Sequence, residues 1–130
     1  RRQRQMCIRD RFRILFSFFF KFLIHPGIVP TLVNLNNEDV ASWIKDPNHE
    51  YIGRKCKNIQ IYSIWGNPFK IGKMTREQCI LEYEKYLSKN QELLQRLPDL
   101  CTKTLGCWCT PAPCHGHVLI NFIKKSLFLL

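Results

Sequence analysis

Cys79, Ile80, Tyr83, Tyr86 and Leu87 recur at three- and four-residue intervals, the spacing of one buried helix face, while Glu77, Glu82, Glu84, Lys85 and Lys89 fall largely on the other side. Thr75 stands where an N-cap hydroxyl is wanted. Leu93, Leu94 and Leu97 make a second, shorter helix closed by Pro98, and Val118, Leu119, Phe122, Ile123 and Leu127 mark a last one. Shorter apolar runs read as strands: TLVNL from Thr31, YIGR from Tyr51, IQIYSIW up to Gly66-Asn67-Pro68, and Thr104 to Trp108. Between the first two, Asn37 is placed to cap a helix opening EDVASWI, which Asp46-Pro47-Asn48 ends. Strands alternating with helices predict an α/β fold, a small single domain that is Rossmann-like and three-layered around a mostly parallel sheet.

The pattern before Thr31 is different. RRQRQMCIRDR, Arg1 to Arg11, matches one translated frame of a common transposase-based sequencing-library adapter, so residues 1–11 are read as an artefact. The apolar run from Ile14 to Ile24 is broken by Lys21 and falls short of the roughly 20 residues that span a bilayer. No small-residue cleavage site follows it, so neither a membrane span nor a secretion signal is expected. Residues 12–27 are taken as a hydrophobic flank and residues 28–130 as one α/β domain.

Charge adds a location. Setting aside the five arginines and one aspartate of the leader leaves 15 basic and nine acidic residues, net +6 over 119 positions. Between Gly53 and Arg76 stand six cations (Arg54, Lys55, Lys57, Lys70, Lys73 and Arg76) and no carboxylate. The same segment carries two Gly-containing turns, IGRK and WGNPFKIGK, where backbone N–H groups and cations can meet an anion. Neither turn matches a P-loop or a dinucleotide fingerprint. Arg54, Gly66, Asn67 and Lys70 are the candidate anion contacts, with Trp65 to stack on a base.

Six cysteines follow the leader, and their clustering beside His115 reads as reduced thiols in a reducing, cytoplasmic compartment. In CWCTPAPCH, Cys107 and Cys109 are two apart on a strand and leave the same face, which favours core packing. Cys114 and His115 follow Pro111 and Pro113, where a helix begins. A thiol at a helix N-terminus beside a histidine is activated, so Cys114 and His115 are the candidate catalytic pair. Cys107, Cys109, Cys114 and His115 are the ligands if zinc is held. The C-x-C-x4-C-H spacing lacks the separated knuckles of common structural sites, and the zinc deaminase signature is absent. No cofactor is therefore expected, and zinc stays the alternative.

The run YIGR, WGNPFKIGK, TREQCILEYEKYL, LPDL and LGCWCTPAPCHGHVL resembles, in order and spacing, the family known as domain of unknown function 4326, found in bacteria, phages and some large viruses. WGNPF (Trp65 to Phe69) and GCWC-x4-CHG (Gly106 to Gly116) carry the resemblance, which extends from about Thr31 to Ile123. The family pattern places an acidic residue after CHG, where this chain has His117, and has a shorter loop in place of Lys55 to Ser63. The resemblance implies a fold and a motif set and names no reaction. Joined to the residue-level reading, it gives an α/β domain binding or processing a nucleotide or nucleic-acid-derived phosphate ligand, with Cys109 also lining the site. The alternatives are a zinc-stabilised interaction module and a non-enzymatic nucleic-acid binder; no membrane partner is expected.

Overall fold

The computed structural model describes residues 29–128 apart from Lys57. The leader, the hydrophobic flank up to residue 28 and the side chain of Leu127 lie outside the described set. Three strands, β1 (Thr31–Asn34), β2 (His49–Tyr51) and β3 (Thr104–Cys107), form a wholly parallel sheet in the order β1-β3-β2. β3 is central, with Leu105 beside Leu32 and Glu50, and Gly106 beside Val33 and Tyr51. The fold is α/β as the alternation predicts, but this sheet is shorter than the doubly wound sheet of a Rossmann domain.

Four helices pack on it: α1 (Val40–Trp43), α2 (Arg76–Lys89), α3 (Gln91–Arg96) and α4 (His115–Phe128). Strand alternation sends Leu105, Cys107 and Leu32 to one face, where they meet Tyr83 and Leu87 of α2, Leu93 of α3 and Val118, Leu119 and Ile123 of α4. Val33 and Tyr51 go to the other face and join Leu35, Val40 and Trp43. Burying each large aliphatic side chain in these clusters contributes about 1.5–3 kcal/mol relative to exposure. Gly106 sits between the layers: a Cβ there would lie 2.5 Å from the Trp43 ring and 2.9 Å from Leu35. Only a residue without a side chain lets α1 close on the central strand.

Local signals account for the helix starts. Thr75 accepts from the Gln78 N–H while the Gln78 side chain accepts from the Thr75 N–H, a complete capping box for α2. The buried stripe of α2 is the one its periodicity predicts, with Cys79, Tyr83 and Leu87 innermost. Asn90 caps α3 through the Leu93 N–H.

Two local expectations are corrected. Asn37 does not cap α1: it ends a 3-10 turn, Leu35–Asn37, capped by Asn34, and Asp39 is the residue before α1. IQIYSIW is not a strand, since only Ile61 makes an isolated bridge, back to Cys56. Its alternation serves packing instead, with Ile59 and Ile61 against the Trp43 cluster and Ile64 and Trp65 in the other. The segment bridges the two cores without a strand edge to join.

Candidate functional site

The parallel sheet brings the carboxyl ends of β2 and β3 to the same edge as the N-termini of α2 and α4, the position where open α/β sheets bind ligands. A cleft of about 330 Å³ opens there. Gly116, in the first turn of α4, makes the approach close: a Cβ on it would stand 2.7 Å from Leu32 and 2.9 Å from Ile52.

Cys114 precedes α4 and caps it. Its sulfur accepts the Gly116 N–H at 3.3 Å, and its own N–H donates to His117 Nδ1 at 3.1 Å. The His117 arm is that of a capping box, with imidazole in place of carboxylate, while the sulfur takes the N–H one residue earlier than a capping box would. His117 thus holds the start of α4 through its ring nitrogen.

β3 ends at Cys107, so Cys109 lies beyond the strand and does not share a strand face with it, contrary to expectation. Cys107 instead meets Cys114, with the sulfurs 3.5 Å apart and both side chains buried. Either sulfur can donate in this contact, and the hydrogen bond lowers Cys107 below the usual thiol range, to about 6, against the opposing effect of burial. The backbone N–H groups of Cys109 and Thr110 and the nearby His117 act in the same direction. Cys114 moves the other way, upward, because its proton serves Cys107, the site is buried, and a negative sulfur adjoins it. The sequence placed the activated thiol at Cys114, on the strength of the helix N-terminus. Here the pair favours ionisation at Cys107 over Cys114, which moves the activated thiol from the helix cap to the end of β3.

His115 is also buried, and its Nε2 lies 2.6 Å from the Ile52 carbonyl. A carbonyl only accepts, so Nε2 carries the proton. Burial lowers the pKa of His115, with Arg54 and His117 adding repulsion, so the ring is neutral at pH 7. Tyr83 packs edge-on against it at 5.1 Å. With one nitrogen fixed on Ile52, the ring anchors α4 to the end of β2. Nδ1 is the nitrogen left for acid–base work.

Arg54 follows β2 and straps the WGNPF turn to it, donating from Nε to the Asn67 carbonyl at 2.8 Å and from Nη2 to the Phe69 carbonyl. Asn67 is buried, with Oδ1 accepting from the Phe69 N–H and Nδ2 donating to the Cys79 carbonyl. Arg76, the first residue of α2, reaches the Pro113 carbonyl at 3.2 Å. Trp108 donates to Tyr51 Oη at 3.0 Å, and that hydroxyl donates to the Arg54 carbonyl.

Of the residues singled out from the sequence, Arg54, Asn67, Cys109, Cys114 and His115 line this one cleft, as does Cys107. Asn67 of WGNPF and Cys114 and His115 of CHG, from motifs at least 45 positions apart, thus meet. Gly66 packs against the Gly53 carbonyl and does not line it. Lys70 is exposed and points elsewhere. Trp65 is only 2% exposed, sits in the core and does not reach the cleft, so the stacking role drawn for it has no geometry here. Lys57 lies outside the described residues. Arg76, Tyr51 and Trp108 are cleft residues that the site reading missed. Trp108 was detectable, because it stands between Cys107 and Cys109 in the CWC motif.

The electrostatics are one-sided. Arg54, Lys55 and Arg76 line the cleft, and no aspartate or glutamate does. Five cysteines line it as well, Cys56 and Cys79 joining the three of the CWC and CHG motifs. Among the described residues, no group of three or more His, Cys, Asp or Glu side chains is arranged to hold a metal ion. Nor is any helix among them long and apolar enough to cross a membrane.

The family model described as Domain of unknown function (DUF4326) matches residues 33–125, spanning every residue of the cleft. The chain belongs to this family. Its DUF4326 domain is 37% identical over 87 residues to an uncharacterized protein of Acanthamoeba polyphaga mimivirus, covering 57% of this chain and 65% of that one. The chain thus spans about two thirds of the mimivirus protein's length. It is 27% identical over 93 residues to an uncharacterized 12.4 kDa protein from the nrdA-td intergenic region of Enterobacteria phage T4, covering 60% of this chain and 86% of that one. No solved structure gives a significant match. The DUF4326 match includes both WGNPF and CHG, the two motifs that the fold brings to one cleft.

Proposed function

We propose that the cleft binds a small phosphate-bearing ligand, a nucleotide or a nucleic-acid-derived fragment. One observation carries this reading: three cations and no carboxylate line a concave site at the carboxyl edge of a parallel sheet. Two 14-residue helices begin there, and the positive ends of their dipoles favour an anion. The volume of about 330 Å³ lies at the lower end of the small-molecule range, the size of a mononucleotide rather than a dinucleotide. Lys55 and Arg76 hold the phosphate, Arg54 fixes the turn that walls the site, and Trp108 takes the stacking role assigned to Trp65. If the ligand is processed as well as bound, Cys107 is the nucleophile and Cys114 the proton donor beside it.

Thermal unfolding with a panel of nucleoside 5′-monophosphates, the matching nucleosides and inorganic phosphate tests the reading. A monophosphate at 100 times its Kd stabilises the fold by about 2.7 kcal/mol, the matching nucleoside by much less. The double variant Lys55→Gln, Arg76→Gln loses that gain. A panel with no effect, or a gain that survives the double variant, contradicts the proposal.

A further inference from the structure

We propose that Cys107 and Cys114 are a redox-active dithiol which exchanges with low-molecular-weight disulfides at the floor of the cleft and closes reversibly into an intramolecular disulfide. The inference does not depend on the phosphate ligand proposed above. It rests on the pairing of two sulfurs that the sequence separates by six residues.

Three observations carry it. The sulfurs stand 3.5 Å apart and in hydrogen-bond contact, so only a short approach separates them from the ~2.05 Å of a disulfide. The two residues sit on different elements, the end of β3 and the cap of α4, joined by a turn at 108–113 that makes no strand or helix. Both sulfurs line the cleft, so an incoming disulfide meets them from the side of Arg54, Lys55 and Arg76. Those cations favour an anionic reagent such as glutathione disulfide, which carries carboxylates. Cys101, about as buried as they are, makes the contrast, since it lines no part of the cleft.

The exchange balances as follows. The Cys107 thiolate attacks one sulfur of glutathione disulfide, forming a mixed disulfide and releasing glutathione thiolate. Cys114 gives its proton to that thiolate. The resulting Cys114 thiolate attacks the Cys107 sulfur, forms the Cys107–Cys114 bond and releases the second glutathione. Two protein sulfurs are oxidised by two electrons, and one glutathione disulfide is reduced to two glutathiones, one as thiol and one as thiolate. Closure removes the negative sulfur from the cleft floor, leaving the three cations without it.

The test is disulfide mapping of the full chain equilibrated across a series of glutathione redox buffers, quenched with acid, alkylated and sequenced by mass spectrometry. The segment from Thr104 to Lys124 is expected to lose two hydrogens as the buffer becomes oxidising, with Cys109 alkylated and Cys107 and Cys114 protected. Dithiothreitol reverses the change. Cys109→Ser behaves as the parent chain does, which also covers the case in which Cys114→Ser fails to fold. Where Cys114→Ser folds, it stops at a glutathione adduct on Cys107. Alkylation of both Cys107 and Cys114 throughout the series, or a bond made to Cys109 instead, overturns the proposal.

Discussion

Two cysteines with their sulfurs 3.5 Å apart in a buried site share a hydrogen bond, and which of them ionises first has measurable consequences. Cys107, held at about 6, reacts with iodoacetamide at a rate that rises through pH 6 and levels off well below the range of an ordinary thiol near 8.5. Cys114→Ser, which replaces the thiol donor, changes that onset; an unchanged onset near the ordinary value in both proteins contradicts the assignment. Stability follows the same groups. Between about 6 and the unfolded thiol value near 8.5, the folded chain lacks a Cys107 proton that the unfolded chain holds, so stability rises with pH across that window and is lost as pH falls through 6. His115, whose folded pKa is also lowered, adds a loss as pH falls below about 6.5. Cys114, raised, acts in reverse and costs stability once an unfolded thiol ionises above about 8.5. The melting temperature therefore peaks between roughly pH 7 and 8.5, and thermal scans from pH 5 to 10 check it; a maximum at pH 5 contradicts it. At this scale the sequence located Cys114 and His115 at a helix start. It did not show Cys107 turning back to Cys114, because strand alternation says nothing about where a six-residue turn returns.

Two helix starts, those of α2 and α4, were legible, since a cap is a local device, while the cap expected at Asn37 was not made. Thr75 opens α2 as predicted, with Gln78 completing its capping box, and CHG opens α4. Segment 59–65 was misread because alternation of apolar residues also arises where a loop divides its side chains between two cores. The difference between Trp65 and Trp108 has the same origin: Tyr83 of α2 donates to the Trp65 carbonyl at 2.8 Å and pins that residue inward, a contact 18 positions away that no local pattern reveals. The close seat of α4 on β1 and β2 makes its own prediction. Gly116→Ala forces Leu32 or Ile52 to shift, costing about 1–3 kcal/mol and loosening the cap at Cys114. Chemical denaturation of the variant measures the loss, and a stability equal to the parent's shows that the contact is not tight.

Over the whole molecule, the cations between Gly53 and Arg76 form one basic segment of sequence, and the fold divides those that are described. Arg54, Lys55 and Arg76 enter the cleft, while Lys70 and Lys73 stay on the exposed surface outside it. That division separates the two anion-binding readings. Binding of a long single strand through the outer lysines weakens steeply with salt, in proportion to the phosphates neutralised. A small ligand held by two or three cations in the cleft depends on salt far less and is lost with Lys55 and Arg76. The sequence showed the charge segment and the motif set; only the topology shows which cations share a concavity with the cysteines. At 15.5 kDa the chain suits amide-resolved NMR, and titration with a nucleoside 5′-monophosphate tests the central claim most directly. The account predicts saturable shifts confined to Lys55, Arg76, the Cys107–Cys109 and Cys114–Gly116 backbones and the Trp108 indole; shifts limited to Lys70 and Lys73, or none, contradict it.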